Sequence, residues 1–422
     1  MFDFRYALCI LFFTFLLDKV DLLENGMART PPMGWMSWGY YACAYKCEDD
    51  EAKCLNEKLI LSVADSFFNE GYQEAGYEYI IIDDCWSEKQ RDAGGRLVAD
   101  KKRFPRGMKF IADYIHSRGL KFGMYTNIAH ITCMGYPGSD GHLEIDAQTF
   151  AEWGVDYLKV DGCFVSEEVL NVGYIQLGNY LNRTGRPMVF SCSWPYYIEF
   201  IHNKKPEYSM ISKYCNMWRN YHDVQISWGA VVNIFEYYKE HYEELAPHHG
   251  PGQWNDPDML IFGTGVLTRS QSRVQLAMMV MLSAPLLLSC DMKMITPYEK
   301  KLLQNMDLIA IAQDPMGVMA KPHRLLKLTL WVKPHLPRKG DTYTSYSFAL
   351  VNTYIENVQE VIQLSDFQLG APDGYTVLVS TRTLGISSNL TPNSSLITQT
   401  KTPTYIHRSD VNSRQNLITS AR

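Results

Sequence analysis

Residues Tyr157–Cys163 read Y-L-K-V-D-G-C. Apolar residues lead into Lys159, Val160 and Asp161, and Gly162 breaks the run. The pattern predicts a short buried strand ending in a turn, with one carboxylate at its C-terminal tip. In a barrel of alternating strands and helices, chemistry gathers at such tips, so Asp161 is the first candidate for a nucleophile. Taken alone, the heptad favours a plainer reading, a turn-initiating Asp before Gly. The surrounding chain reverses that preference.

Working outward, apolar strand-like runs alternate with amphipathic helix-like runs from Pro32 to about Asp291. The strand candidates are Met33–Trp38, Tyr77–Trp86, Lys121–Asn127, Val155–Cys163, Met188–Trp194, Cys215–Asn220, Gln253–Leu260 and Pro285–Asp291. Helical periodicity falls on Asn56–Asn69, Met108–Arg118, Glu167–Leu181, Ala230–Glu244 and Ser270–Met281. This alternation predicts a (β/α)8 barrel, a TIM-type α/β fold. A doubly wound open sheet is the alternative, but no G-x-G-x-x-G follows the first strand. Polar and aromatic residues recur at the strand ends: Trp38, Asp83 and Asp84, Tyr125, Lys159 with Asp161, Ser193 with Trp194, then Trp218, Arg219 and Asp223, then Asp256, Asp258 and Met259. One acid at a strand end means little; their recurrence on what would be one face argues for a site.

Beyond Gln313–Gly317 the pattern changes. Leu325–Val332, Thr344–Val351 and Tyr375–Ser380 read as half-buried strands separated by Pro and Gly turns. Residues 318–422 therefore read as a separate antiparallel β-sandwich domain after a catalytic unit at 24–317. The tail Asp410–Arg422 is polar and offers no apolar finishing strand.

At 422 residues, one large and one smaller domain are expected. A net charge of −6 gives no reason to expect nucleic acid or an anionic membrane as partner. Arg5 followed by the apolar run Ala7–Leu17 resembles a secretory signal within residues 1–23, the run being short for a bilayer span; a retained anchor is the alternative. Secretion makes disulfides the natural state of cysteine. Outside the signal nine cysteines remain, so at least one stays unpaired, and Cys290 in P-L-L-L-S-C-D-M reads as a buried thiol. Zinc is a weaker reading, because no C-x-x-C pair occurs. His248-His249 reads as a solvated loop. Sequons at Asn182, Asn389 and Asn393 predict N-glycosylation.

Five strings share a source: R-T-P-P-M-G-W-M-S-W at Arg29–Trp38, I-D-D-C-W at Ile82–Trp86, K-V-D-G-C at Lys159–Cys163, W-R-N at Trp218–Asn220 and W-N-D-P-D-M at Trp254–Met259. In this order they resemble glycoside hydrolase family 27, the melibiase-type family of animal lysosomal α-galactosidases and α-N-acetylgalactosaminidases. The likeness runs from about Glu24 to Lys321; the C-terminal part agrees only in general character. The resemblance implies a retaining exo-glycosidase acting on terminal α-galactosyl or α-N-acetylgalactosaminyl glycolipids, glycoproteins or oligosaccharides. It implies no cofactor and no metal, a homodimer, and a lysosomal or secreted location. Asp161 falls on the nucleophile and Asp223 on the acid/base, a pair that retaining chemistry holds about 5–5.5 Å apart. Repulsion between them is expected to keep Asp223 protonated while Asp161 is charged, with Lys159 favouring that charge.

Carried over in the same way, Asp83 and Asp84 accept sugar hydroxyls, Trp38, Tyr125 and Met259 wall the pocket, and Arg219 and Asp258 serve the 2- and 3-positions. The cysteines pair as Cys43–Cys85, Cys47–Cys54, Cys133–Cys163 and Cys192–Cys215, where the sequence alone leaves about 105 pairings. Ser193 stands where the family's galactosidases carry Glu, which favours N-acetylgalactosamine. Tyr196 departs from both branches: it could fill the acetyl pocket, leaving galactose, or stack on the acetyl methyl. A carbohydrate-binding protein without turnover is the non-enzymatic alternative, and the presence of both Asp161 and Asp223 argues against it.

Overall fold

The computed structural model describes residues 25–44, 47, 53–325, 328–339 and 342–352, and the strand segments 358–363, 375–379, 388–390, 395–400 and 405–410. The expected signal segment, Asn393 and the tail beyond Asp410 lie outside the described residues.

Eight short segments form one parallel sheet. They are β1 (Met33–Met36), β2 (Tyr79–Ile81), β3 (Lys121–Asn127), β4 (Tyr157–Asp161), β5 (Val189–Cys192), β6 (Met217–Arg219), β7 (Trp254–Asp256) and β8 (Leu286–Leu288). The strand order is β7-β6-β5-β4-β3-β2-β1-β8. The sheet curls in the manner of a TIM barrel, and its two ends approach at Leu260, which makes a parallel bridge with Leu288 just after β7. There the Leu260 N–H donates to the Leu287 carbonyl at 2.8 Å, and the Ser289 N–H donates to the Leu260 carbonyl at 2.9 Å. Strand residues such as Trp35, Ile80, Leu158, Val189 and Trp218 have no exposed surface, as expected of a parallel sheet covered on both faces.

The helices start where short polar side chains can cap them. Asn56 accepts from the Leu59 N–H at 2.9 Å and opens the helix Glu57–Asn69, whose Leu59, Ile60, Val63, Ala64 and Phe67 are buried. Thr268 and Gln271 form a reciprocal capping box at the head of Arg269–Met281. The helix Leu143–Trp153 escaped the sequence reading because its inward face includes Asp146 and Thr149. Asp146 is tolerated there through a bidentate contact with Arg91, at 2.6 and 2.7 Å. Two further short helices, Pro297–Leu303 and Met306–Ala312, also went unread.

From Lys321 onward all pairing is antiparallel. A six-stranded sheet contains β9 (Lys321–Arg324), β10 (Thr329–Lys339), β11 (Thr342–Val351), β13 (Tyr375–Val379), β14 (Ser388–Leu390) and β16 (Tyr405–Asp410), while β12 (Val358–Gln363) pairs with β15 (Ser395–Thr400). The sequence reading found β10, β11 and β13. It missed β9, β12, β14, β15 and β16, the last of which lies between β11 and β13.

Lys333 of β10 ties this sheet to the helical layer. Its side chain is buried, and Nζ donates to the Val280 carbonyl (3.1 Å), Ser283 Oγ (2.6 Å) and the Ile311 carbonyl (2.7 Å). Burial pulls its pKa down to about 7, with Asp314 opposing, yet the three acceptors match the three protons of an ammonium. Replacing Lys333 by Met strips these acceptors of their donor in a dry interior. We expect a loss of about 2–4 kcal/mol, read as a lower melting temperature and urea midpoint, with activity per folded molecule retained.

Candidate active site

Asp161 ends β4, and both of its oxygens are oriented by hydroxyls. Ser193 Oγ donates to Oδ1 at 2.5 Å and Tyr125 Oη to Oδ2 at 2.9 Å. Gly162 follows because a Cβ there would lie 2.2 Å from Leu170 Cδ1 and 3.0 Å from Tyr197 Cδ2. Lys159, two residues back, projects to the same side of the strand. Its buried Nζ donates to Asp83 Oδ2 at 2.8 Å and lies 5.3 Å from the Tyr125 ring centre and 6.0 Å from that of Trp38.

Asp223 lies in the loop after β6 with its side chain half exposed. Trp38 Nε1 donates to its Oδ2 at 3.2 Å and Arg219 to its Oδ1 at 3.1 Å. The same buried guanidinium reaches Asp258 at 3.0 Å, and its Nε is buried without a protein partner. Asp258 accepts from the Val224 N–H at 2.7 Å and donates its own N–H to Asp256 at 2.8 Å. Asp83 and Asp84 are both buried rather than surface acids. Asp83 accepts from the Asp84 N–H; Asp84 accepts from the Cys85 N–H at 2.6 Å and the Met134 N–H at 3.1 Å. Met259 is buried beside Asp258.

These residues form one electrostatic group. Against burial, the Lys159 ammonium is held charged by Asp83, then Asp161, then Asp223. Against burial, Arg219 is held by Asp258, then Asp223, Asp256 and Asp161. Trp38 spans the two halves, reaching Asp223 directly and lying within range of Lys159. The remaining candidate, Tyr196, is part-buried after β5, and its hydroxyl lies 3.3 Å from His222 Nδ1.

Two expectations are corrected. Asp223 is not favoured in its protonated form: burial would raise its pKa, but Arg219 and Lys159 outweigh burial and hold it below the usual carboxylate range. Burial instead pushes Asp258 up to about 7, with Asp223 and Asp256 adding to the shift against Arg219, and it raises Asp83 and Asp256 as well. His249 is not solvated. Its ring nitrogens face inward, Nδ1 meets the Asn255 N–H at 3.2 Å, and burial, helped by Lys333, draws the imidazole down to about 3. Among the described residues no group of three or more His, Cys, Asp or Glu could hold a metal ion.

The reading of strand ends missed Tyr197 and Ser37. Tyr197 Oη lies 2.9 Å from Cys163 Sγ, and Ser37 Oγ accepts from the Asp83 N–H at 2.9 Å. Adjacency to Tyr196 and Trp38 was the available signal. Disulfides Cys43–Cys85, Cys133–Cys163 and Cys192–Cys215 brace the strand-end loops, Cys47–Cys54 closes a short loop, and Cys290 is a buried free thiol. Three non-glycine residues at this rim, Cys85, Phe164 and Asp258, hold left-handed backbone with φ of 71°, 66° and 81°. Such strain persists only where the surroundings over-determine it. A cleft of about 820 Å3 on the outer helices, near Asp140, His142, Gln176 and Tyr180, includes none of the candidate residues.

Stability should follow the buried acids. Burial raises Asp84 to about 6 and Asp258 to about 7; the unfolded chain releases these protons near pH 4. The folded state therefore binds more protons across that window, and this contribution is lost as pH rises through it. The His249 imidazole, drawn down from 6.5 to about 3, opposes this below about pH 6.5 without cancelling the several raised acids, and Lys333 acts only above about 7. We expect the melting temperature to fall between about pH 5 and pH 7, and Asp258→Asn to flatten the fall; a scanning-calorimetry series over pH checks both.

The family described as alpha galactosidase A (Melibiase_2) matches residues 30–314. An alpha-N-acetylgalactosaminidase of Gallus gallus is 50% identical over 306 residues, 72% of this chain and 75% of the relative. Alpha-galactosidase A of Homo sapiens is 41% identical over 368 residues, 87% and 81%. The solved alpha-galactosidase of Saccharomyces cerevisiae superposes with a TM-score of 0.78 at 25% identity, covering 92% of this chain and 99% of that one. With strand-end chemistry, disulfides and sequence in agreement, the chain belongs to the Melibiase_2 α-galactosidase family, glycoside hydrolase family 27.

Proposed function

We propose that this protein is a retaining exo-glycosidase that removes terminal α-linked N-acetylgalactosamine or galactose from glycoconjugates. The observation that carries the reading is the placement of Asp161 and Asp223 in the field of the same two buried cations, Lys159 and Arg219. Asp161, oriented by Tyr125 and Ser193, attacks C1 and forms a glycosyl ester. Asp223 protonates the departing oxygen and then takes the proton of the water that cleaves the ester. Arg219 and Lys159 hold Asp223 below the usual carboxylate range, so the acid step needs proton uptake. A sugar that shuts water away from this half-exposed carboxyl favours that uptake. Asp83 and Asp84 accept sugar hydroxyls, the unpartnered Arg219 Nε offers a donor, and Trp38, Tyr125 and Met259 supply walls.

Ser193 favours N-acetylgalactosamine. The second reading, galactose, draws on Tyr196, whose part-buried ring is tethered to His222 rather than turned out to solvent. The catalytic unit spans residues 24–317 and the antiparallel β-sandwich 318–422. Passage through the secretory pathway to the lysosome or exterior, glycosylation and homodimer formation complete the proposal. The four disulfides support it, as does the exposure of Asn182 near a helix end; Asn389 lies in β14.

Asp161→Asn should lower kcat by about three orders of magnitude or more on both p-nitrophenyl α-N-acetylgalactosaminide and α-galactoside, while calorimetry still detects sugar binding. A variant that keeps a near-normal rate overturns the nucleophile assignment. The ratio of wild-type rates on the two substrates identifies the sugar.

A further inference from the structure

The stretch Tyr221–Val224, which carries Asp223, belongs to no helix or strand. Two contacts tie its main chain to the neighbouring strand ends. The Tyr221 carbonyl accepts from Arg219 at 3.1 Å, and the Val224 N–H donates to Asp258 Oδ2 at 2.7 Å. The second contact lies one residue from Asp223. Asp258 makes it while its Oδ1 meets Arg219 Nη1 at 3.0 Å. Both contacts are made from left-handed backbone, φ 81°, which a residue with a Cβ seldom adopts. Asp256 supplies the restraint. It closes β7, is buried, and its Oδ1 accepts the Asp258 N–H at 2.8 Å across Pro257. This is an Asx-turn, in which a side-chain carboxyl replaces a main-chain acceptor. Pro257 fixes its own φ and keeps Asp256 extended, so the turn opens directly from the strand.

We infer that Asp256 is a positioning residue that holds Asp223 in place through Asp258 and the Val224 N–H, a role that rests on Asp223 being the acid/base. Proton transfer requires the Asp223 carboxyl within hydrogen-bond reach of the departing oxygen. Without the 2.8 Å brace, Asp258 relaxes out of left-handed backbone and its grip on Val224 loosens. Asp161 stands apart from this chain of contacts. It ends β4 and is oriented by Tyr125 and Ser193. Loss of the brace therefore weakens protonation of the leaving group and spares nucleophilic attack.

The test compares kcat/KM, in the full-length protein, on the methyl and the dinitrophenyl α-glycosides of one sugar. Methoxide leaves only with a proton, whereas dinitrophenolate leaves without one. Both substrates form the same glycosyl ester, so their ratio isolates help to the leaving group and cancels the fraction of protein folded. Asp256→Ala removes the brace, and Asp256→Glu keeps the charge but displaces the accepting oxygen. Each should lower the methyl-to-dinitrophenyl ratio about tenfold or more. Asp256→Asn keeps an oxygen for the Asp258 N–H and should hold the ratio near that of wild type. Equal losses on both substrates in the Ala and Glu variants overturn the positioning role, as does an unchanged ratio. A ratio that falls in Asp256→Asn but not in Asp256→Glu also overturns it, because charge rather than the brace would then matter. Asp223→Ala is the reference and should show the same split more strongly. If it lowers both substrates equally, the acid/base reading fails and takes the positioning role with it; if it splits them and the Asp256 variants do not, the brace alone fails.

Discussion

A cation buried away from water persists only where carboxylates or other acceptors replace its lost hydration. Lys159 and Arg219 impose this condition on the strand-end face. Lys159 draws Asp83 from the end of β2 and Arg219 draws Asp258 from the loop after β7, each at ion-pair distance. Asp161 and Asp223, more open to solvent, complete the balance. Four acids from four stretches of chain are thereby held together by the protein's own cations. This preorganisation is what a site that builds charge at C1 requires, and it explains why so many acids tolerate one another's proximity.

The same constraint distributes the protons. Two cations shared among several carboxylates cannot keep every acid ionised in a dry pocket. Burial pushes Asp258 up to about 7 and raises Asp83 and Asp256 as well, while Arg219 and Lys159 hold the better-solvated Asp223 below the usual carboxylate range. Repulsion between Asp161 and Asp223 looked decisive from sequence, because sequence spacing carries no information on which acid a guanidinium touches. Arg219 touches two at once.

The curled eight-stranded sheet was legible because most of its strands, buried on both faces, are rich in apolar residues, and all eight fell inside the segments read as strands. Their strand-end residues were legible for the same reason. The helix Leu143–Trp153 was hidden by an inward-facing Asp146 whose partner, Arg91, lies 55 residues away. β16 was hidden because its residues, Y-I-H-R-S-D, alternate too weakly to stand out from a polar tail. Tyr197 was missed because its neighbour Tyr196 drew attention as the family outlier. His249 was misjudged because a His-His pair gives no hint of which ring turns inward.

Lys333 makes the C-terminal sheet something other than a detachable module. Its acceptors belong to the Arg269–Met281 helix, the turn after it and the Met306–Ala312 helix, so the junction is encoded jointly by segments far apart in sequence. A chimaera that grafts another C-terminal sheet onto this helical layer would have to keep a lysine at 333, or leave Ser283 Oγ and the two main-chain carbonyls without their donor at the graft. The two parts are thereby coupled through a single side chain.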